Sequence, residues 1–135
     1  MIQIDNLSKN YGTVQAVDSI SFSLNDGEIV GFLGANGAGK STTLKMITGY
    51  LSPTSGNVHI GNQNIIDDCI DLQKMIGYLP ELNPLYSEMK VHEYLHFHAS
   101  IRGIIGNEFT ESLKRVVNDC GLQGVVHRTI GNCSK

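Results

Sequence analysis

Apolar and polar residues alternate along the first part of the chain, and this pattern predicts two β-strands. Ile2, Ile4 and Leu7 are separated by polar residues, and the segment 20–24 alternates Ile, Phe and Leu with two serines. Residues two apart in a strand lie on the same face, so each segment would turn its apolar side chains toward a core. We expect the first strand to lie at the edge of an antiparallel sheet. The Asn-Asp-Gly sequence at 25–27 predicts a turn after the second strand.

Two unbroken apolar runs predict strands of a different kind. Glu28–Leu33 contains Ile, Val, Phe and Leu, and Ile76–Leu79 forms a shorter run that ends at Pro80. Continuous apolar runs are typical of strands that are buried on both faces of a parallel sheet. A further short strand is expected at Val58–Ile60, after the Pro-Thr-Ser-Gly turn at 53–56.

Four segments favour α-helices. Lys40–Thr48 contains no Pro or Gly, and residues 67–74 form a second short segment. Val91–Ile101 carries apolar residues at helical spacing. Asn107 is a candidate N-cap for a last helix, which is expected to end at Gly121.

Composition and charge narrow the class of protein. The chain has 135 residues, of which 41% are hydrophobic and 17% charged, as is ordinary for a soluble globular protein. We predict an α/β fold with a β-rich part over residues 1–83 and a helical part over residues 84–135. The formal net charge of −3 argues against a nucleic-acid-binding surface. No apolar stretch approaches the roughly 20 residues that cross a bilayer, and the three cysteines show no paired spacing.

The segment between the first apolar run and the first helix carries the clearest chemistry. Residues 34–41 read Gly-Ala-Asn-Gly-Ala-Gly-Lys-Ser, which fills every fixed position of the P-loop pattern. Glycines allow a tight loop whose N–H groups converge on phosphate, Lys40 can reach the β- and γ-phosphates, and the hydroxyl of Ser41 can bind Mg²⁺. The dipole of the following helix favours the same anion. The predicted ATP-binding residues of this segment are Gly34, Ala35, Asn36, Gly37, Ala38, Gly39, Lys40, Ser41 and Thr42.

A competing motif lies in the helical part. His92, Glu93 and His96 form a His-Glu-x-x-His sequence, which in zinc hydrolases supplies two metal ligands and a general base. Ala99 and Arg102 stand where the extended metzincin motif needs Gly and His. Zinc hydrolysis is therefore kept only as a remote alternative.

Further short motifs flank the P-loop on both sides. Residues 7–12 read Leu-Ser-Lys-Asn-Tyr-Gly, residues 53–58 read Pro-Thr-Ser-Gly-Asn-Val, and residues 76–81 read Ile-Gly-Tyr-Leu-Pro-Glu. With these motifs in this order, the whole chain resembles the N-terminal part of an ABC-transporter ATP-binding subunit. It resembles exporter-type members such as gliding-motility and multidrug ATPases. The resemblance implies a P-loop NTPase with an incomplete ABC-type nucleotide-binding domain, in which a β-rich ATP-binding core precedes a helical subdomain.

The resemblance also implies roles for three residues outside the P-loop. Tyr11 stands at the position of the A-loop aromatic, which stacks on adenine. Glu81 stands at the Q-loop position, where the family usually has Gln, and would bind Mg²⁺ together with Ser41 or position the attacking water. Unlike Gln, an ionised Glu accepts hydrogen bonds without donating them. Ser134 aligns with the signature serine, which contacts the γ-phosphate across a dimer.

ATP and Mg²⁺ are the implied cofactors, and a membrane-spanning permease and a second ATP-binding subunit are the implied partners, with no nucleic acid. The implied location is the cytoplasm, on the cytoplasmic face of the membrane, and Glu81 favours export over import. The Walker B strand, the catalytic Glu and the switch His would follow Lys135, so this chain alone is expected to hydrolyse ATP negligibly. The alternatives are an ABC-type ATPase of translation or DNA repair and an unrelated P-loop kinase or GTPase.

Overall fold

The computed structural model describes residues 1–133. The chain divides into two compact units, one spanning Met1–Tyr78 and the other beginning at Leu79. The predicted domain boundary after residue 83 stays a prediction. Within the described residues, no helix has both the length and the hydropathy that crossing a membrane requires.

The first unit contains a four-stranded antiparallel sheet. Its strands are β1 (Ile2–Tyr11), β2 (Val14–Leu24), β3 (Ser55–Ile60) and β4 (Gln63–Asn64), and their order in the sheet is β2-β1-β3-β4. The predicted antiparallel strands are thus confirmed, but the expected edge position of the first is wrong. β1 pairs with β2 on one side and with β3 on the other, because β3 returns from far along the chain to cover the edge that β2 leaves open.

Two short helices cover this sheet. They are α1 (Lys40–Ile47) and α2 (Cys69–Met75), close to the predicted ranges. Apolar side chains from the strands and from both helices pack together in one core. Burying each large aliphatic side chain stabilises the folded chain by about 1.5–3 kcal/mol. The buried core residues are Ile4, Leu7, Val17, Met46, Val58, Ile65 and Leu72.

The two unbroken apolar runs are not strands in the described chain, which corrects the prediction. Residues 28–33 carry no assigned secondary structure, and Ile29 and Leu33 are 103% and 92% exposed. Residues 76–79 are likewise irregular, and Leu79 is 79% exposed. A buried parallel strand needs hydrogen-bonding neighbours on both sides. Within residues 1–133, no strand pairs with either run. In the first run, the ring of Phe32 contacts the ring of Phe22, with 5.9 Å between the ring centroids.

The second unit is helical. α3 (Val91–Ile101) matches the predicted range, and α4 covers Gly106–Asp119. The predicted N-cap at Asn107 is wrong, because the helix begins one residue earlier and Ile105 occupies the cap without a side-chain hydrogen bond. The backbone N–H groups of Val91 and His92 donate to the carbonyls of Arg128 and Val126, which ties the end of the described chain to the start of α3.

Candidate phosphate-binding site

The P-loop segment forms a glycine-rich turn that leads directly into α1. The backbone N–H of Ala38 donates to the carbonyl of Ala35 at 3.2 Å, which closes the turn. Gly37 and Gly39 have φ angles of +82° and +84°, in the left-handed region that glycine adopts without a steric penalty. The backbone path of the loop therefore accounts for glycine at position 37 and at the motif position 39.

Gly39 has a second reason to be glycine. A Cβ atom at this position would lie 2.3 Å from the carbonyl oxygen of Ala16 and 3.0 Å from a methyl carbon of Val17. Both neighbours belong to β2, and one of them is backbone, which cannot move aside as a flexible side chain can. The loop thus packs directly against the sheet at the residue that precedes α1.

The N-terminus of α1 is open to an incoming anion. Gly39 is its N-cap and supplies no side-chain hydrogen bond, and the first turn contains no acidic residue. The first N–H groups of any α-helix have no acceptor inside the helix, and the positive end of the helix dipole lies beside them. The backbone N–H groups of Lys40, Ser41 and Thr42 occupy these positions.

Lys40 folds across the loop that precedes it. Its Nζ donates hydrogen bonds of 2.7 Å to the carbonyl oxygens of both Gly34 and Ala35. The ammonium therefore lies within the turn, next to the helix N-terminus. Since the Lys40 ammonium and the N-terminal end of the helix dipole both carry positive charge, the loop favours an anion and disfavours a cation.

Of the other predicted site residues, Tyr11 lies on the same unit as the loop. It ends β1, pairs with Val14 across the hairpin and is 50% exposed. Lys9, two residues earlier on β1, pairs with Val17, the residue that contacts Gly39. Tyr11 thus lies two residues along β1 from Lys9, whose pairing partner Val17 contacts the loop.

The described structure does not test the roles predicted for Glu81 and Ser134. Glu81 is exposed in a bend near the start of the second unit. Ser134 lies outside the described residues. The roles predicted for both remain predictions.

The His-Glu-x-x-His motif does not form a metal site in the described residues. Residues 1–133 contain no group of three His, Cys, Asp or Glu side chains that could hold a metal ion. Glu93 accepts a hydrogen bond of 2.8 Å from the backbone N–H of Lys90 at the start of α3, and the His96 ring packs edge-on against Phe109. The Nδ1 of His92 lies 3.2 Å from the carbonyl oxygen of Val126. The three motif residues thus make hydrogen-bond and ring contacts within the helical unit.

Comparisons with known proteins identify the fold that carries this loop. The family described as ABC transporter matches residues 17–135. The chain belongs to the ABC transporter family. The predicted fold, a nucleotide-binding domain of the ABC ATPase type, is thereby confirmed, as is the assignment to the ABC ATPases, which bind nucleotide.

Two curated ABC relatives come from Bacillus subtilis (strain 168). YxlF, an uncharacterized ABC transporter ATP-binding protein, is 37% identical over 134 residues, covering 99% of this chain and 44% of that protein. The linearmycin resistance ATP-binding protein LnrL is 38% identical over 122 residues, covering 90% and 39%. The chain thus spans less than half the length of these relatives.

A solved ABC structure shows the same architecture. It is cbiO1 from Clostridium perfringens, described as part of the ABC transporter complex cbiONQ. Its TM-score is 0.83 at 25% identity, over 98% of this chain and 55% of that one.

Sequence reasoning overlooked two residues that support the loop of this ABC domain. Thr43 is 2% exposed, and its hydroxyl donates to the carbonyl of Gly39 at 3.0 Å, alongside the backbone hydrogen bond of 2.8 Å to the same oxygen. Ala16 supplies the backbone against which Gly39 packs. A threonine three residues after the P-loop lysine was a visible signal for the first contact, since Thr hydroxyls commonly bond to the carbonyl four residues earlier. No local signal marks Ala16.

Proposed function

We propose that the chain binds Mg²⁺-ATP as the N-terminal portion of the ATPase subunit of an ABC exporter. One observation carries the proposal, namely the open N-terminus of α1 with Lys40 held inside the preceding turn. An anion placed there would accept hydrogen bonds from the amides of the first helical turn and lie beside an ammonium group. A phosphate chain satisfies both requirements.

Each predicted site residue has a role in this proposal. The amides of residues 34–42 surround the β- and γ-phosphates, and Lys40 exchanges its two carbonyl acceptors for phosphate oxygens. The exposed hydroxyl of Ser41 and the carboxylate of Glu81 are hard oxygen ligands of the kind that Mg²⁺ prefers. Tyr11 stacks on adenine, and Ser134 contacts the γ-phosphate in a partner's site.

The transporter part of the proposal draws on the relatives. LnrL is named for resistance to linearmycin, a role that removal of a compound from the cell would serve, and cbiO1 is part of a larger complex. We infer by analogy that this chain works with a membrane-spanning permease and a second ATP-binding subunit on the cytoplasmic face of the membrane. A tagged subunit that contains this chain is expected to co-purify from detergent-extracted membranes with a membrane-spanning protein. Recovery of the tagged subunit from the soluble fraction alone would contradict this assignment.

The nucleotide-binding part is tested by calorimetric titration of Mg²⁺-ATP into the chain. Lys40→Ala is expected to weaken binding by about ten- to a hundredfold, because a hydrogen bond between charged groups contributes about 1.5–3 kcal/mol. Lys45→Ala is the matched control, since Lys45 lies in the last turn of the same helix, away from the loop. Absence of ATP binding by the unsubstituted chain, or equal loss in both variants, would contradict the proposed function.

A further inference from the structure

Lys9 lies against the ring of Tyr11. Its Nζ is 5.5 Å from the ring centroid, within the distance at which a cation is attracted to the face of an aromatic ring. Lys9 is half-buried, whereas Tyr11 is 50% exposed. The ammonium thus covers one face of the ring and leaves a large part of the side chain open to solvent.

The ammonium of Lys9 is itself held in place. Its Nζ donates a hydrogen bond of 2.7 Å to the carbonyl of Ser52, a residue 43 positions away that follows α1. Two further hydrogen bonds fasten the same segment to β1. The N–H of Thr54 donates to the carbonyl of Ser8 at 2.9 Å, and the N–H of Asn10 donates to the Thr54 hydroxyl at 3.0 Å. Lys9 is therefore anchored to a segment that is firmly attached to its own strand.

We propose that Lys9 is a positioning residue for recognition of the purine base, because it holds the Tyr11 ring so that the opposite face is presented to the base. This inference rests on the proposed function, in which Tyr11 stacks on adenine. A ring that is already fixed loses less rotational freedom when a base stacks on it, so binding is tighter. A cation–aromatic contact at a partly exposed site is equivalent to about a two- to fivefold change in affinity.

The experiment separates base recognition from phosphate recognition by using two ligands. Mg²⁺-ATP and inorganic tripolyphosphate are titrated into the chain and into Lys9→Met, which keeps most of the side-chain volume without the charge. Lys9→Met is expected to weaken ATP binding about two- to fivefold and to leave tripolyphosphate binding unchanged. Lys9→Arg, which keeps the cation, is expected to restore ATP affinity.

A matched control lies in the same unit. The Nζ of Lys45 is 6.0 Å from the ring centroid of Tyr50, so Lys45→Met removes a similar charge and a similar ring contact away from the hairpin. It is expected to bind both ligands as the unsubstituted chain does. Equal weakening of tripolyphosphate and ATP by Lys9→Met would show damage to the loop or loss of bulk charge, and would overturn the proposal.

A double-mutant cycle decides whether Lys9 acts through Tyr11. In a Tyr11→Ala background, Lys9→Met is expected to have no further effect on ATP affinity, and an additive effect would overturn the proposal. If Tyr11→Ala weakens ATP binding but Lys9→Met does not, the positioning role of Lys9 is wrong and the proposed adenine contact of Tyr11 stands. If Tyr11→Ala binds ATP as tightly as the unsubstituted chain, the proposed adenine contact fails and the role of Lys9 fails with it.

Discussion

Replacing Gly39 with alanine should disturb the P-loop far more than the same change at Gly37. Both glycines have left-handed backbones, with φ of +84° and +82°. Their surroundings differ, because a Cβ at Gly39 would lie 2.3 Å from the carbonyl oxygen of Ala16, whereas a Cβ at Gly37 would meet nothing within 4 Å. The pair therefore separates the cost of the backbone conformation from the cost of the contact with β2.

The expected losses of unfolding free energy follow from these two costs, one for the backbone conformation and one for the contact with β2. A left-handed conformation costs an alanine about 1–2 kcal/mol, and this penalty applies to both variants. Forcing an extra carbon into a packed contact adds about 1–3 kcal/mol. Gly37→Ala should thus lower the free energy of unfolding by about 1–2 kcal/mol, and Gly39→Ala by about 2–5 kcal/mol.

The assay is urea unfolding of the chain and both variants, followed by circular dichroism, together with ATP titration of the folded proteins. Gly39→Ala is also expected to weaken ATP binding more than Gly37→Ala, since it pushes the loop and the start of α1 away from the sheet. Equal losses of unfolding free energy in the two variants would refute the inferred contact between the loop and β2.

Three further predictions concern local hydrogen bonds and turnover. Thr43→Val should lower the free energy of unfolding by about 0.5–1.5 kcal/mol through loss of the hydroxyl bond to Gly39, as measured by urea unfolding with Thr43→Ser as control. The side-chain amide of Asn25, and then its backbone N–H, donate to Glu28 and lower the pKa of that carboxyl. A lowered pKa in the folded state means that this turn stabilises the chain above the ordinary glutamate pKa and loses the contribution as the pH falls through the lowered value. The melting temperature of Glu28→Gln should therefore depend less on pH in that acidic range than the melting temperature of the unsubstituted chain does. Part of the pH dependence should remain, because Lys74 also lowers the pKa of Asp71. An unchanged dependence of melting temperature on pH in Glu28→Gln would contradict this prediction. Finally, the 135-residue chain should release phosphate from ATP no faster than a mock purification, and turnover above that level would contradict the expectation.

The parts of the structure that the sequence predicted well depend on local signals. The P-loop pattern gives the position of the turn and the start of α1, because glycine conformations and helix entry are properties of neighbouring residues. The range of α3 matches its apolar spacing for the same reason. The Asn-Asp-Gly sequence at 25–27 also forms the expected turn, with Gly27 at a φ of +80°.

The parts that the sequence predicted poorly depend on partners far along the chain. The run at 28–33 has the composition of a buried strand, but a strand exists only where another strand pairs with it. β1 was expected at an edge, because nothing local shows that residues 55–60 return to pair with it. The hydrogen bond from Lys9 to Ser52 spans 43 positions and has no sequence signature. Glu93 is a case in which a local motif misleads. It belongs to a sequence typical of zinc hydrolases, but its carboxylate accepts a hydrogen bond from the backbone N–H of Lys90 at the start of α3.

In the proposed function, the P-loop and the first turn of α1 bind the phosphate chain of ATP. The most direct measurement is amide chemical-shift mapping of the isotope-labelled chain as Mg²⁺-ATP is added. We predict shifts at residues 34–42 and at the hairpin around Tyr11, no shifts along α3, and loss of the response in Lys40→Ala. Shifts centred on the helical unit, or an unchanged response in Lys40→Ala, would contradict the claim.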